Sequence, residues 1–112
     1  MTALISRDEL KAAIDRHEVT VVDALPESYY SQQHIPGAVN LVESDVVGRA
    51  AQLLPHKDAA IVVYCSNAAC GNSQAVATVL AKLGYSDVRK YRDGIQDWVD
   101  AGLPVETGVV AA

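Results

Sequence analysis

Phenylalanine is absent from this chain of 112 residues, and tryptophan occurs once, as Trp98. Aliphatic side chains must therefore fill the core together with Trp98 and five tyrosines. Cysteine is almost as scarce. Two cysteines in a chain of this size exclude a disulfide framework. No apolar run approaches the ~20 residues that a membrane span needs. The opening Met1-Thr2-Ala3-Leu4-Ile5 lacks the charged and apolar regions of a secretory signal. The expected compartment is the cytoplasm. Basic residues are outnumbered, nine Lys and Arg against 14 Asp and Glu, for a net charge of −5. That balance argues against nucleic acid or an anionic membrane as partner, since both call for a basic stripe. The nearest thing to a basic cluster, Arg89, Lys90 and Arg92, reads as a solvated face.

What remains is the profile of one compact domain, with half its residues apolar and 21% charged. Residues 1–106 read as that domain and 107–112 as a tail expected to fray. Short strands are expected at Leu4-Ile5, from Val19 to Asp23, from Val39 to Leu41, from Ala60 to Tyr64 and from Asp87 to Tyr91. Helical spacing falls between them. Ser6 and Glu9 form a capping-box pattern ahead of Leu10 and Ile14. Pro26 opens a short helix, and Val46, Val47, Ala50, Leu53 and Leu54 give a face between Ser44 and Leu54. Val76, Val79, Leu80 and Leu83 line a helix that begins at Ser73, and Ile95, Trp98 and Val99 face inward from the last one. Strand and helix alternate without a hairpin, which predicts an α/β domain with a mainly parallel five-stranded sheet and helices on both faces. Ligands of such sheets bind beyond the carboxyl ends of the strands. Asp23, Cys65 and Tyr91-Arg92-Asp93 stand at three of those ends.

The stretch from Ile61 to Ser73 carries the chemistry. Strand-forming residues run directly into Cys65, and Ser66, Asn67, Ala68, Ala69, Cys70 and Gly71 form a small-residue loop ahead of a helix. Nucleophilic sulfur must be a thiolate, and an ordinary cysteine is mostly protonated at neutral pH. Backbone N–H groups at a helix N-terminus can hold that anion, and small residues let them turn inward. The same groups would hold a persulfide. Against this stands a bland alternative, in which Cys65 is a buried small hydrophobe and Cys70 packs the loop–helix junction. A phosphatase loop of the Cys-x5-Arg kind is excluded, since position 71 is glycine and the loop has no arginine. Zinc would need two further ligands, and His17, His34 and His56 show no ligand spacing. A thioredoxin-type pair would be Cys-x-x-Cys, whereas five positions separate Cys65 from Cys70. A transient disulfide within the loop stays open.

Three motifs in order resemble the single-domain rhodanese, or thiosulfate sulfurtransferase-like, family, and they span nearly the whole chain. The first is Val21-Val22-Asp23 followed by Tyr30 and His34-Ile35-Pro36-Gly37-Ala38. The second is Val62-Val63-Tyr64-Cys65 leading to Ser73 and a helix ending at Leu83-Gly84-Tyr85. The third is Val88 to Tyr91, Gly94-Ile95, Trp98 and Ala101-Gly102-Leu103-Pro104-Val105. The resemblance implies a rhodanese-like fold and a sulfurtransferase. Cys65 would be its nucleophile, attacking the outer sulfur of thiosulfate or another sulfane donor. The resulting persulfide, held by the N–H groups of residues 66–71, would pass its sulfur to cyanide, a thiol or a protein acceptor. Ping-pong kinetics follow from that covalent intermediate. No metal or organic cofactor is implied.

The chain departs from the family pattern in three places. Eight positions separate Cys65 from Ser73, two more than usual, and the added length holds a second thiol, Cys70. Leu25 and Tyr29 replace a charged pair, an exchange that a buried site tolerates. Asp93 replaces a glycine and disfavours an anionic donor, while Arg92 beside it is a candidate anion contact. His34 reads as fixing a turn. The alternative to the enzyme is a non-catalytic rhodanese-like module that binds a partner or senses redox state through Cys65 and Cys70.

Overall fold

The protein is described by a computed structural model covering residues 2–108. Its elements run β1 (Ala3–Leu4), α1 (Arg7–Asp15), β2 (Thr20–Asp23), α2 (Glu27–Tyr30), β3 (Val39–Asn40), α3 (Glu43–Leu53), β4 (Ala60–Tyr64), α4 (Asn72–Lys82), β5 (Asp87–Tyr91) and α5 (Gly94–Asp100). The five strands form one sheet in the order β1-β5-β4-β2-β3, and every neighbouring pair is parallel. Parallel pairing needs crossovers, and the right-handed rule assigns them to faces. The connections through α3 and α4 run one way along the sheet and those through α1 and α2 the other. Accordingly α3 packs against α4 on one face. On the opposite face, Arg7 of α1 meets Asp97 of α5 at 3.1 Å.

β4 lies at the centre of the sheet, with Ile61, Val62, Val63, Tyr64 and the following Cys65 all buried. A strand covered on both faces reads as such a continuous apolar run. The missing phenylalanines are made good by aromatic groups that carry polar atoms, and each buried one finds a partner. Tyr30 donates to the Ala38 carbonyl at 2.6 Å, Tyr85 to the Leu54 carbonyl at 2.5 Å and Tyr91 to Asp97 at 2.5 Å. Trp98 donates its indole N–H to the Pro104 carbonyl at 2.7 Å and meets Tyr91 edge-on. Buried hydroxyls and indoles are tolerated on that condition.

Several expectations are corrected. The first strand is Ala3–Leu4, while Ile5 turns into the core. Val47 is 75% exposed and Val99 38% exposed, so neither belongs to the inward face of its helix. Order also reaches into the expected tail. The Gly108 N–H donates to the Ser31 carbonyl at 2.7 Å, and Glu106, just ahead of that tail, forms an antiparallel bridge with His34. The rest of the tail, 109–112, lies outside the described residues.

Candidate active site

Parallel register brings the carboxyl ends of β2, β4 and β5 side by side, with Asp23 opposite Tyr64 and Tyr64 opposite Tyr91. Cys65 follows directly and is 1% exposed. Its carbonyl accepts the Ile95 N–H at 2.9 Å, and the Ser66 carbonyl accepts the Gln96 N–H at 3.0 Å. These bonds fix the start of the loop against the first turn of α5. Gly94 makes the approach possible. Its φ is +71°, and a Cβ there would sit 2.6 Å from the Cys65 carbonyl oxygen. Only glycine suits that position.

Asn67 shapes the rest of the loop. Its carbonyl accepts the Cys70 N–H at 3.1 Å, closing a turn over residues 67–70, and its side-chain oxygen accepts the Ala69 N–H at 2.9 Å. Asn67 also donates to Gln96 at 3.3 Å. The turn takes up the loop's added length and returns Cys70 to Cys65. The Cys65 sulfur lies 3.4 Å from the Cys70 carbonyl and 3.3 Å from the Ser73 hydroxyl, and it receives the Ser73 N–H at 3.4 Å. Both cysteines are free thiols.

The two thiols are electrostatically unequal. Burial pushes the Cys65 thiol up, and the hydrogen bond to Cys70 adds to the shift, while the Ser73 hydroxyl and N–H oppose it. Burial also opposes the Cys70 thiolate, but it is outweighed. The Cys65 thiol, the N–H groups of Ser66 and Asn72, and the Ser66 hydroxyl together hold Cys70 below the ordinary thiol range. Of the two thiols Cys70, at the N-terminus of α4, is therefore the more readily ionised.

The expected ring of donors is thus redistributed. The N–H groups of Ala69 and Cys70 turn to Asn67 instead of inward. Asn72 and Ser73 supply donors that the reading of residues 66–71 left out, although Ser73 stood in the motif. Ala68 is exposed, as is Gly71, which caps α4 without a side-chain bond. Arg92 is exposed, and among the described residues no hydrogen bond or ion pair joins it to the loop. Asp93 is exposed beside it.

Asp23 and His34 serve the frame. Asp23 accepts the Leu25 N–H at 2.8 Å and the Tyr64 hydroxyl at 2.7 Å. That hydroxyl in turn accepts the Ile35 N–H at 3.0 Å. Burial raises the Asp23 pKa, with these two donors working against the shift. His34 stacks on Tyr30 and places Nδ1 2.8 Å from the Tyr30 carbonyl. Neither side chain hydrogen-bonds to a cysteine, so no Cys-His-Asp relay is assembled.

A cleft of about 290 Å³ opens beside Ser66, walled by Leu25, Tyr29, Ile95, Gln96, Val99 and Asp100 among others. No lysine or arginine lines it. A wider cleft of about 840 Å³ lies among Tyr30, His34, Asn40, Arg49 and Glu106 and takes no wall from residues 65–73. Among the described residues no group of three or more His, Cys, Asp or Glu is placed to hold a metal, and no helix is long and apolar enough to cross a membrane.

Sequence comparison places this parallel α/β sheet with its thiol loop between the central strand and the following helix. The chain belongs to the rhodanese-like domain family, which it matches over residues 6–101. It is 36% identical over 104 residues to the HTH-type transcriptional regulator Rv0324 of Mycobacterium tuberculosis, covering 93% of this chain but only 45% of that protein. It is 33% identical over 76 residues to the thiosulfate sulfurtransferase PspE of Escherichia coli, covering 68% of this chain and 70% of that one. The crystal structure of BH2092 from Bacillus halodurans superposes with a TM-score of 0.86 at 25% identity, covering 95% of this chain and 77% of the other.

Proposed function

We propose that this domain is a sulfurtransferase that moves sulfane sulfur from thiosulfate or a persulfide donor to a thiophilic acceptor through a persulfide on Cys65. The observation that carries the reading is the Cys65 sulfur at the end of β4, held by the Ser73 N–H at 3.4 Å and lying 3.4 Å from the Cys70 carbonyl. Cys70 supplies what a buried thiol lacks. As Cys65 attacks the outer sulfur, its proton passes to Cys70, the more readily ionised thiol of the same loop, in its thiolate form. With thiosulfate as donor, the Cys65 sulfur bonds the outer sulfur, the sulfur–sulfur bond of thiosulfate breaks, and sulfite leaves with the electron pair. The acceptor then attacks the terminal sulfur and regenerates Cys65. The cleft beside Ser66 has apolar walls, one acidic residue and no cation, so an organic persulfide suits it better than a dianion. The acceptor class is a thiol, cyanide or a protein cysteine, and the cytoplasm is the compartment that fits this chemistry.

Intact mass of the Cys70→Ser and Cys65→Ser proteins after donor treatment tests the assignment. The proposal expects one added sulfur on Cys70→Ser, removable by a thiol, and none on Cys65→Ser. The reverse pattern moves the persulfide to Cys70, which is the more exposed thiol. A second reading rests on the two free thiols of one loop: a redox-sensing module, consistent with a relative named as a transcriptional regulator. It expects no sulfur on either variant, and loss of two hydrogens under mild peroxide only when both cysteines are present.

A further inference from the structure

The Cys65 persulfide of the proposed reaction would form beside a second thiol of the same loop. The Cys70 carbonyl lies 3.4 Å from the Cys65 Sγ, the inner sulfur of that persulfide, and the 67–70 turn closed by the Cys70 N–H holds the residue there. We infer that Cys70 is a resolving thiol, and that the loop has a second activity: reductive release of sulfane sulfur as sulfide, with a Cys65–Cys70 disulfide left behind. The inference rests on the persulfide reading above and extends it.

The step balances. After the first attack the loop holds a Cys65 persulfide anion and a Cys70 thiol. The Cys70 proton passes to the terminal sulfur, giving Cys65–S–SH and a Cys70 thiolate. That thiolate attacks the inner sulfur, the persulfide S–S bond breaks, and HS⁻ departs with the bonding pair. The two cysteine sulfurs are oxidised to a disulfide, and the terminal sulfane sulfur is reduced to sulfide. No outside oxidant enters. An external dithiol of the reduced redox-carrier class would restore both thiols and complete a cycle.

Three features favour the collapse. The five-position separation of Cys65 and Cys70 allows the close Cα approach a disulfide requires. The N–H groups of Ser66 and Asn72 favour the anionic form of the attacking sulfur. A thiol held in the same loop acts at an effective concentration far above that of free thiols in solution. Partition between transfer and release then depends on whether an acceptor reaches the terminal sulfur through the Ser66 cleft before Cys70 closes on the inner one.

The test uses the reduced, desalted protein without oxygen and one equivalent of an arenethiosulfonate anion, with thiosulfate in parallel, no acceptor thiol being present. Wild type should release about one equivalent of sulfide per chain and lose two hydrogens in intact mass, with peptide mapping joining Cys65 to Cys70. Cys70→Ser should gain one sulfur and release no sulfide until a thiol is added. A wild type that keeps a stable added sulfur and releases no sulfide overturns the inference while leaving the transferase standing. Failure of both wild type and Cys70→Ser to react with either donor removes the persulfide reading and the inference with it.

Discussion

Gly94→Ala probes the device that seats the thiol loop, and its cost can be worked from the structure. An alanine at φ +71° pays ~1–2 kcal/mol for the left-handed conformation. Its Cβ would lie 2.6 Å from the Cys65 carbonyl oxygen and 2.6 Å from the Ser66 carbonyl carbon. Both are backbone atoms that cannot swing away as a side chain would. The loop must retreat, which weakens the bonds from Ile95 N–H and Gln96 N–H at 2.9 and 3.0 Å. Losing two such bonds costs ~1 kcal/mol each. Reduced freedom of the unfolded chain returns ~0.4–1 kcal/mol. The net loss is about 3 kcal/mol, less than the ~5–15 kcal/mol of a typical domain, so the variant still folds. Gly71→Ala is the control within the same loop. Its φ is −90° and nothing lies within 4 Å of the added Cβ, so stability should hold or rise slightly. Urea denaturation at unchanged slope measures both. A Gly94→Ala protein no less stable than Gly71→Ala would refute the close-approach argument.

Tyr64→Phe should cost about 2–4 kcal/mol, because it leaves the buried Ile35 N–H and an Asp23 oxygen without partners. The Asp23 pKa is raised by burial, so its contribution to stability is present below the ordinary carboxylate pKa and is lost as pH rises through the raised value. Removing the Tyr64 donor penalises the charged form further; the gap between Tyr64→Phe and wild type should widen with pH, read from denaturation midpoints. Alkylation rates with peptide mapping should show Cys70 reacting at pH values where an ordinary thiol is still protonated, and Cys65 only well above them. Cys65→Ala should move the Cys70 profile to higher pH, because the thiol donor is gone. Ser73→Ala keeps the backbone N–H but loses the hydroxyl, and should slow sulfur uptake by roughly five- to tenfold, the equivalent of one ~1 kcal/mol hydrogen bond.

Local pattern carried the central architecture. β4 and β5 lie where the apolar run from Ala60 and the stretch from Asp87 put them, and α4 begins one residue before the expected Ser73. Misreadings concern contacts between distant residues. Val47 and Val99 have helical spacing, yet among the described residues too little packs over them to bury them, and periodicity does not see a missing neighbour. Gly108, expected in the fraying tail, is held by Ser31, 77 positions away, through a hydrogen bond no local signal announces. The loop shows the same limit at short range. Its composition pointed to an anion cradle, but Asn67 captures the Ala69 and Cys70 N–H groups and aims Cys70 at Cys65. Asparagine's preference for such turns was legible. Its consequence for two sulfurs five positions apart needed coordinates.

The central claim is that Cys65 carries the travelling sulfur, and following that atom tests it most directly. Cys70→Ser protein charged with thiosulfate labelled in its outer sulfur, then desalted, should hold about one label per chain, mapped to the Cys65 peptide. Adding an acceptor thiol should move the label quantitatively to the acceptor in a single turnover. Label absent from Cys65, or bound there but never passed on, would contradict the account.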